Sequence, residues 1–327
     1  MLYVPGNSVR MSLRAATLPV DAVIFDLEDA VPLPEKETAR IMVRDSVRLL
    51  KARGISTFVR VNSISTGLTQ KDIEATAIKG LNGFVLAKSE TLEDVSRIDR
   101  LLSRTERLSG LEKGSLKVIA LIESARGLMN SLQIASCNQR MVALAFGAGD
   151  YLRDLGRDVV KISKEETELL YARSHIVNVC RAAGIQSVDT PFLGMLTDRD
   201  GFSREVQLAA QLGFNGKQCI HPSQIEFINV VFSPSSEDID RGKRVVQAFS
   251  EAQAHGLGAT SLDGRMIDYM SYQHAKEVLE NWQAIEEREK AKKGNSAASM
   301  FEIFGRQTRP KDHRSKAHSK GSRREPR

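Results

Sequence analysis

The chain has 327 residues, 41% hydrophobic and 27% charged, a globular composition long enough for two ordinary domains or one barrel-sized domain. No run approaches the ~20 consecutive apolar residues that a membrane helix needs, and no basic start precedes an apolar segment, so we expect neither a membrane span nor a signal peptide. The net charge of +6 comes from residues 306–327, where nine Lys or Arg accompany two Asp or Glu. The rest of the chain sums to −1 and does not predict a basic nucleic-acid surface.

Short apolar runs bounded by glycine, proline or polar residues predict eight strands, and helical patterns separate them. The predicted strands are residues 2–5, 22–26, 56–62, 83–88, 117–123, 141–150, 185–190 and 216–222. The predicted helices between them are 8–16, 35–52, 73–80, 91–108, 125–136, 165–183 and 204–212. Two further helices are expected at 235–255 and 266–285, with a turn at 262–264.

Strands that alternate with helices predict a parallel sheet in an α/β fold. Eight such units favour a closed (β/α)8 TIM barrel over residues 1–232. The rival is an open doubly wound sheet, which usually carries a glycine-rich phosphate loop after its first strand. Here that turn is Pro5-Gly6-Asn7, which is no such loop.

Two segments follow the predicted barrel. Residues 233–293 are interpreted as a C-terminal helical segment that serves as a lid or in oligomerisation. Residues 294–327 are small, polar and basic, and are expected to form a disordered tail.

The cysteines favour a reducing compartment. Their number is odd and their spacing is not that of metal ligands: Cys137, Cys180 and Cys219. Such cysteines are typical of reduced thiols in the cytosol. We therefore expect a cytoplasmic protein.

Polar side chains gather at the carboxyl ends of the predicted strands, where the active sites of barrels lie. They are Glu28, Asp29, Arg60, Asn62, Lys88, Glu123, Asp150, Asp189 and His221. Glu123 and Asp150 end two consecutive strands, and two such carboxylates can share Mg²⁺. The alternative is that Glu123 caps the next helix and Asp150 lies in a solvated turn.

Several motifs resemble those of the citrate lyase β-subunit-like proteins of the HpcH/HpaI aldolase superfamily. In chain order they are LYVPGN at 2–7, FDLEDAV at 25–31, VRVN at 59–62, IESA at 122–125, AGDY at 148–151, YAR at 171–173, GFNGK at 213–217, IHPSQ at 220–224 and GRMID at 264–268. Together they cover roughly residues 2–280 at family spacing. The chain departs from the family pattern at Ser63, Ala87 and Tyr269, which affects the expected substrate and thioester contacts more than the metal site.

The resemblance implies a barrel enzyme, usually a homotrimer or a dimer of trimers, that uses Mg²⁺ to cleave or form a carbon–carbon bond beside a thioester. By position, Glu123 and Asp150 match the metal ligands, and Glu123 also faces the substrate. Arg60 matches the arginine that binds the substrate carboxylate and takes part in catalysis. Asp268 matches a catalytic aspartate that reaches into a neighbouring subunit's site.

Other interpretations of these residues stay open. Arg60 can be an ion-pair partner of Glu28 or Asp29. Asp268 can be a helix N-cap, which is the stronger interpretation from the sequence alone. Glu28, Asp29 and Lys88 are expected to support the ligands and to balance charge rather than to react.

Three functions remain as hypotheses. The first is a lyase or synthase for malyl-, methylmalyl- or citramalyl-coenzyme A, with acyl-coenzyme A and 2-oxo acids as partners and neither a membrane nor nucleic acid. The second is a citrate lyase β subunit that cleaves a citryl thioester on an acyl carrier protein. The third is a binding protein that uses the basic tail, although blocks of like charge often only solvate a chain.

Overall fold

The structure is a computed structural model that describes residues 1–305, with side chains as far as residue 292. Eight strands form one parallel sheet in chain order, which confirms the predicted α/β class. The strands are β1 Leu2–Pro5, β2 Ala22–Asp26, β3 Ser56–Val61, β4 Gly83–Leu86, β5 Lys117–Ile122, β6 Met141–Phe146, β7 Gln186–Asp189 and β8 Gly216–Lys217.

The sheet curls until its two edges meet. Leu2 in β1 forms a parallel bridge with Cys219, two residues beyond β8. The Tyr3 N–H donates to the Cys219 carbonyl at 2.9 Å, and the Cys219 N–H donates to the Met1 carbonyl at 2.8 Å. The start of β1 therefore lies beside the residues that follow β8.

Alternate strand residues pack on opposite faces of the sheet, as the two-residue period of a strand requires. In β5, Ile119 and Leu121 join a small cluster with Ile24, Val85 and Val188 from other strands. Their neighbours on β5 point the other way, into the large core beneath the helices. This small cluster fills the concave face of the sheet. A site at the carboxyl ends of the strands would therefore lie directly above packed apolar side chains.

Twelve helices surround the sheet within the described residues. They are α1 Val9–Ala15, α2 Lys36–Ala52, α3 Thr69–Thr76, α4 Leu92–Leu108, α5 Ala125–Met129, α6 Ser131–Ala135, α7 Ala148–Asp154, α8 Thr167–Ala183, α9 Arg199–Leu212, α10 Ile225–Phe232, α11 Ser236–Ala254 and α12 Tyr269–Gly305. None of the helices in the described part of the chain is both long and apolar enough to cross a membrane.

The predicted boundaries need several corrections. The eighth strand is Gly216–Lys217 where 216–222 was predicted, and the helices predicted to start at 204 and 266 begin at Arg199 and Tyr269. The helix predicted at 73–80 lies at Thr69–Thr76, and the one predicted at 125–136 is two short helices that meet at Asn130. The sixth strand ends at Phe146, because Gly147 caps helix α7, which carries Asp150 in its first turn. The predicted turn at 262–264 connects a small antiparallel hairpin, β9 Thr260–Leu262 and β10 Arg265–Ile267.

The C-terminal elements have a core of their own. Val245 and Phe249 of α11 pack with Ile267 of β10 and Ala275 of α12, and the Phe249 and Tyr272 rings stack at 5.0 Å. Helix α12 continues to Gly305, so the predicted start of the tail at 294 falls within it. The rest of the predicted tail, residues 306–327, lies outside the described residues.

Candidate active site

A cavity of about 550 Å³ opens at the carboxyl ends of the strands. Among the predicted site residues, Asp29, Arg60, Glu123 and Asp150 line it. These residues belong to four strands, β2, β3, β5 and β6, or to the segments that follow them, and they meet in one place as the parallel topology predicts.

Glu123 follows β5 directly and is 6% exposed. One carboxylate oxygen, Oε2, accepts a hydrogen bond of 2.9 Å from the Lys88 N–H. Burial, together with the negative charges of Glu28 and Asp150, raises the pKa of Glu123 to about 8. A carboxylate in such surroundings holds a proton near neutral pH unless a cation compensates its charge.

Gly147 makes the space that Glu123 occupies. A Cβ atom at position 147 would lie 2.5 Å from Glu123 Cγ and 2.8 Å from Oε1. The same glycine caps helix α7, which carries Asp150 in its first turn. Asp150 is therefore placed by a helix N-terminus, where negative charge is favoured, and not by a strand end as the sequence analysis expected.

Arg60 forms ion pairs with three carboxylates that follow or end β2. Its Nε and Nη2 donate to the two carboxylate oxygens of Asp26 at 2.8 and 2.6 Å. Its Nη1 lies 3.0 Å from Glu28 Oε2, while Asp29 is more distant at 3.9 Å. The guanidinium also lies 5.1 Å from the centre of the Tyr3 ring. The bidentate partner, Asp26, was not among the predicted site residues, although its place at the end of β2 is the signal that marked the others.

Glu28 and Lys88 stand beside the cavity. Glu28 is buried, and burial raises its pKa although Arg60 opposes the shift. Its Oε2 has no hydrogen-bond partner in spite of the nearby Arg60 Nη1. Lys88 Nζ lies 3.3 Å from Glu28 Oε1 and 3.9 Å from Asp150 Oδ2.

A buried lysine that the sequence analysis missed fixes the loop that carries Glu28. The Lys36 ammonium donates to the carbonyls of Leu27 and Glu28 at 2.6 and 2.7 Å and to Asn62 Oδ1 at 2.8 Å. Asn62 in turn donates to Asp72 at 2.7 Å. No sequence signal distinguishes Lys36 from the surface lysines of an amphipathic helix.

We call the connected set of charges at the cavity the acidic cluster. Its acids are Asp26, Glu28, Asp29, Glu123 and Asp150, and its bases are Arg60, Lys88 and Arg153, which lies 2.7 Å from Asp150. Five carboxylates and three cations leave two negative charges when all are ionised. A divalent cation would neutralise this excess.

The donor set suits a hard cation. Within residues 1–292, no group of three or more His, Cys, Asp or Glu side chains is arranged to hold a metal. Mg²⁺ typically takes one or two protein carboxylates and completes its shell with water and substrate oxygens. Glu123 and Asp150, beside the unpartnered oxygen of Glu28, fit that requirement.

Asp268 does not line the cavity of its own chain. Its Oδ1 accepts hydrogen bonds of 2.8 Å from the Ser271 N–H and hydroxyl, so it caps helix α12. These hydrogen bonds lower its pKa. The capping geometry that the sequence favoured is present, and the structure places no cavity-lining residue of this chain beside Asp268.

A second group of charges lies around the carboxyl ends of β7 and β8, and of its members only Asp189 was among the predicted strand-end residues. We call Glu166, Arg173, Asp189, Glu205 and Lys217 the ionic network. Lys217 Nζ donates to Asp189 Oδ2 and the Thr190 carbonyl, both at 2.7 Å, and to Glu205. Arg173 donates to both oxygens of Asp189 at 3.0 and 3.1 Å.

Comparison with known proteins identifies the family of this chain. Residues 1–222 match the model of the HpcH/HpaI aldolase/citrate lyase family. The chain is 38% identical over 280 residues to the citrate lyase subunit beta of Haemophilus influenzae, which covers 86% of this chain and 95% of that protein. It is 31% identical over 303 residues to the human mitochondrial citramalyl-CoA lyase, which covers 88% and 86%.

A solved structure gives the same result. The CitE protein of Mycobacterium tuberculosis, determined with magnesium, acetoacetate and coenzyme A, is 29% identical and superposes with a TM-score of 0.66 over 86% of this chain and 97% of that one. The resemblance identified from the motifs is thus confirmed. The chain belongs to the HpcH/HpaI aldolase/citrate lyase family of enzymes.

Proposed function

We propose that this enzyme uses Mg²⁺ to cleave, or in reverse to form, the carbon–carbon bond of a 3-hydroxyacyl thioester. Malyl-, methylmalyl- and citramalyl-coenzyme A are the candidate substrates, and the products are acetyl- or propionyl-coenzyme A with glyoxylate or pyruvate. The observation that carries the proposal is the acidic cluster, whose two excess negative charges stand beside a cavity with an arginine in its wall. The magnesium and coenzyme A bound to the Mycobacterium tuberculosis relative support it.

Glu123 and Asp150 are the residues that would hold the metal. When bound, Mg²⁺ acts as a Lewis acid on the carboxylate and carbonyl oxygens of a 2-oxo acid. Binding of Mg²⁺ would keep Glu123 ionised at neutral pH. Without the metal, its carboxyl group has a pKa of about 8.

Arg60 binds the carboxylate of the 2-oxo acid in this proposal. Asp26 holds the Nε and Nη2 edge, which fixes the plane of the guanidinium. The substrate would then meet Nη1, which lies 3.0 Å from Glu28 Oε2 without a hydrogen bond between them. Lysine lacks a planar fork and would not keep this orientation.

Asp268 is proposed as the base, acting in the site of a neighbouring subunit of a homotrimer or a dimer of trimers. In cleavage it takes the proton of the 3-hydroxyl, the carbon–carbon bond breaks, and its electron pair passes to the thioester enolate, which then accepts a proton at carbon. In condensation it removes a proton from the carbon next to the thioester carbonyl. Asp268 must leave its bonds to Ser271 for this role, because they stabilise the charged form.

The remaining sequence predictions belong to the same proposal. We take the curled sheet to be a closed barrel over residues 1–232, because the bridge between Leu2 and Cys219 joins its edges. Residues 233–293 would form the lid and subunit contact that carry Asp268. A cytoplasmic location follows from the cysteine content alone and stays a prediction.

A citrate lyase β subunit is the second candidate. The 38% identity to the Haemophilus influenzae subunit, over 95% of its length, favours it. The reaction at the acidic cluster would be the same, and the thioester would be carried on an acyl carrier protein in place of coenzyme A. The two candidates therefore differ in the carrier.

The test is product formation from acetyl- or propionyl-coenzyme A with glyoxylate or pyruvate, followed by mass, with Mg²⁺ and with a chelator. We expect a metal-dependent hydroxyacyl-coenzyme A from at least one pair, and cleavage of the same compound when it is supplied. No product from any pair with folded protein would contradict the coenzyme A proposal. Cleavage of citryl acyl carrier protein would then support the second candidate.

A further inference from the structure

Lys88 contacts three carboxylates of the acidic cluster. Its backbone N–H donates to Glu123 Oε2 at 2.9 Å. Its ammonium lies 3.3 Å from Glu28 and 3.9 Å from Asp150. One residue thus connects both proposed metal ligands and the buried acid between them.

The backbone of Lys88 is held in place, while its side chain is partly exposed to solvent. Its φ of +51° lies in the left-handed region that side-chain-bearing residues rarely adopt. The neighbouring Ser89 fixes this turn, because its N–H donates to the Leu121 carbonyl at 3.1 Å and its hydroxyl to the Leu86 carbonyl at 2.8 Å. The Lys88 side chain, by contrast, is 46% exposed on a flexible stem.

The other cations of the cluster do not have this position. Asp26 holds Arg60 through two hydrogen bonds. Arg153 contacts only Asp150 in the cluster and is 77% exposed. The Lys88 ammonium lies between Glu28 and Asp150, where its charge would repel a second cation a few ångströms away.

We propose that Lys88 is an internal counter-ion that holds the acidic cluster together without metal and gives way to Mg²⁺. Metal binding and displacement of the ammonium are then coupled, so Lys88 weakens the affinity for Mg²⁺ while its backbone keeps Glu123 in place. The Mg²⁺ part of this inference rests on the proposed function.

The test is calorimetric titration of Mg²⁺ into the substrate-free full-length protein. Lys88→Met keeps the length of the stem and the backbone preference but removes the charge. We expect it to bind Mg²⁺ about tenfold more tightly than the wild type, since a repulsive charge close to the metal is lost. Lys88→Arg keeps the charge and should bind like the wild type.

Arg153→Met is the matched control, because it removes a cation from the same Asp150 at an exposed site. We expect a change of no more than about twofold, as for exposed ion pairs. The gain in Mg²⁺ affinity of Lys88→Met over Arg153→Met should become smaller as KCl is added, because salt screens charge. A purely structural role for Lys88 would not give this salt dependence.

The outcomes separate the two proposals. Tighter binding by Lys88→Met but not by Arg153→Met supports the counter-ion. Unchanged or weaker binding by folded Lys88→Met, beside normal binding by the wild type, overturns the counter-ion and leaves the metal site. Failure of the folded wild type and all variants to bind Mg²⁺ overturns both.

Discussion

The acidic cluster and the ionic network place similar residues at neighbouring strand ends but differ in how their charges are matched. In the network, Arg173 and Lys217 face three carboxylates, and burial with the adjacent Glu166 raises the pKa of Glu205 to about 8. Three carboxylates and two cations leave one negative charge, and one proton shared by Glu166 and Glu205 neutralises it. The cluster has two excess negative charges when all its groups are ionised, and one Glu28 oxygen that accepts no hydrogen bond.

The difference separates a structural group from a reactive one. Among the described residues, no buried side-chain oxygen or nitrogen of the network lacks a hydrogen-bond partner. A fully satisfied ionic group fixes the chain around it and has no free valence for a ligand. We propose that the cluster, whose charges are not balanced when all its groups are ionised, is the part that binds a cation.

Loss of one network partner should have the largest effect. Lys217→Met leaves Asp189 and Glu205 buried beside Arg173 alone, and breaking a buried pair costs about 3–5 kcal/mol. We expect the free energy of unfolding in urea to fall by that amount. The contrast is Glu28→Gln in the cluster, which should lose less than about 1 kcal/mol. Its two cationic neighbours keep other stabilisation, because Arg60 retains both hydrogen bonds to Asp26 and the Lys88 side chain is 46% exposed. Equal losses in the two variants would remove the distinction.

Filling the space beside Glu123 should damage function more than stability. Gly147→Ala forces the Glu123 side chain to move, because the new Cβ would lie 2.5 Å from its Cγ. We expect activity to fall at least about tenfold, with a higher requirement for Mg²⁺, as for displaced metal ligands. Gly149→Ala is the control in the same cavity, since its Cβ would meet only Leu193 at 4.0 Å. Activity of Gly147→Ala equal to that of Gly149→Ala would refute this function of Gly147.

The pH dependence of stability should show the raised pKa of Glu123. Folded Glu123 keeps its proton up to about pH 8, while the unfolded residue releases it near its ordinary pKa of 4.5. The folded state therefore binds more protons in this window, and the metal-free protein loses stability as pH rises through it, by about 1.4 kcal/mol for each pH unit.

Glu123→Gln isolates this contribution, because Glu205 titrates in both proteins. Urea unfolding in a chelator from pH 5 to pH 9 should give a smaller loss of stability in Glu123→Gln than in the wild type. Identical slopes would show that Glu123 does not hold a proton in the folded state.

The order of the strands was accessible from the sequence because a buried parallel strand leaves an apolar run. Glu123 was found for the same reason, since it follows such a run directly, and Arg60 because it lies near the end of another. Asp150 was also identified, but its position in helix α7 was not predicted. Residues 141–150 form one apolar stretch in the sequence, whereas in the structure the strand ends at Phe146 and the helix begins at Ala148.

Other features have no local signal. Lys36, Arg173 and Lys217 are buried only because the fold brings carboxylates and carbonyls from distant segments to them. The space at Gly147 depends on a neighbouring strand, and the hairpin β9–β10 is stabilised by packing on α11. Such long-range contacts cannot be obtained from periodicity or spacing.

The central claim is that the acidic cluster binds a divalent cation through Glu123 and Asp150. Its most direct test is calorimetric titration of Mg²⁺ into the wild type, Asp150→Asn and Asp154→Asn. Asp154 lies on the same helix but accepts a hydrogen bond from the Ala125 N–H outside the cluster. We predict binding by the wild type and Asp154→Asn and at least about 100-fold weaker binding by Asp150→Asn. Equal binding by all three folded proteins, or none by the wild type, would contradict the assignment.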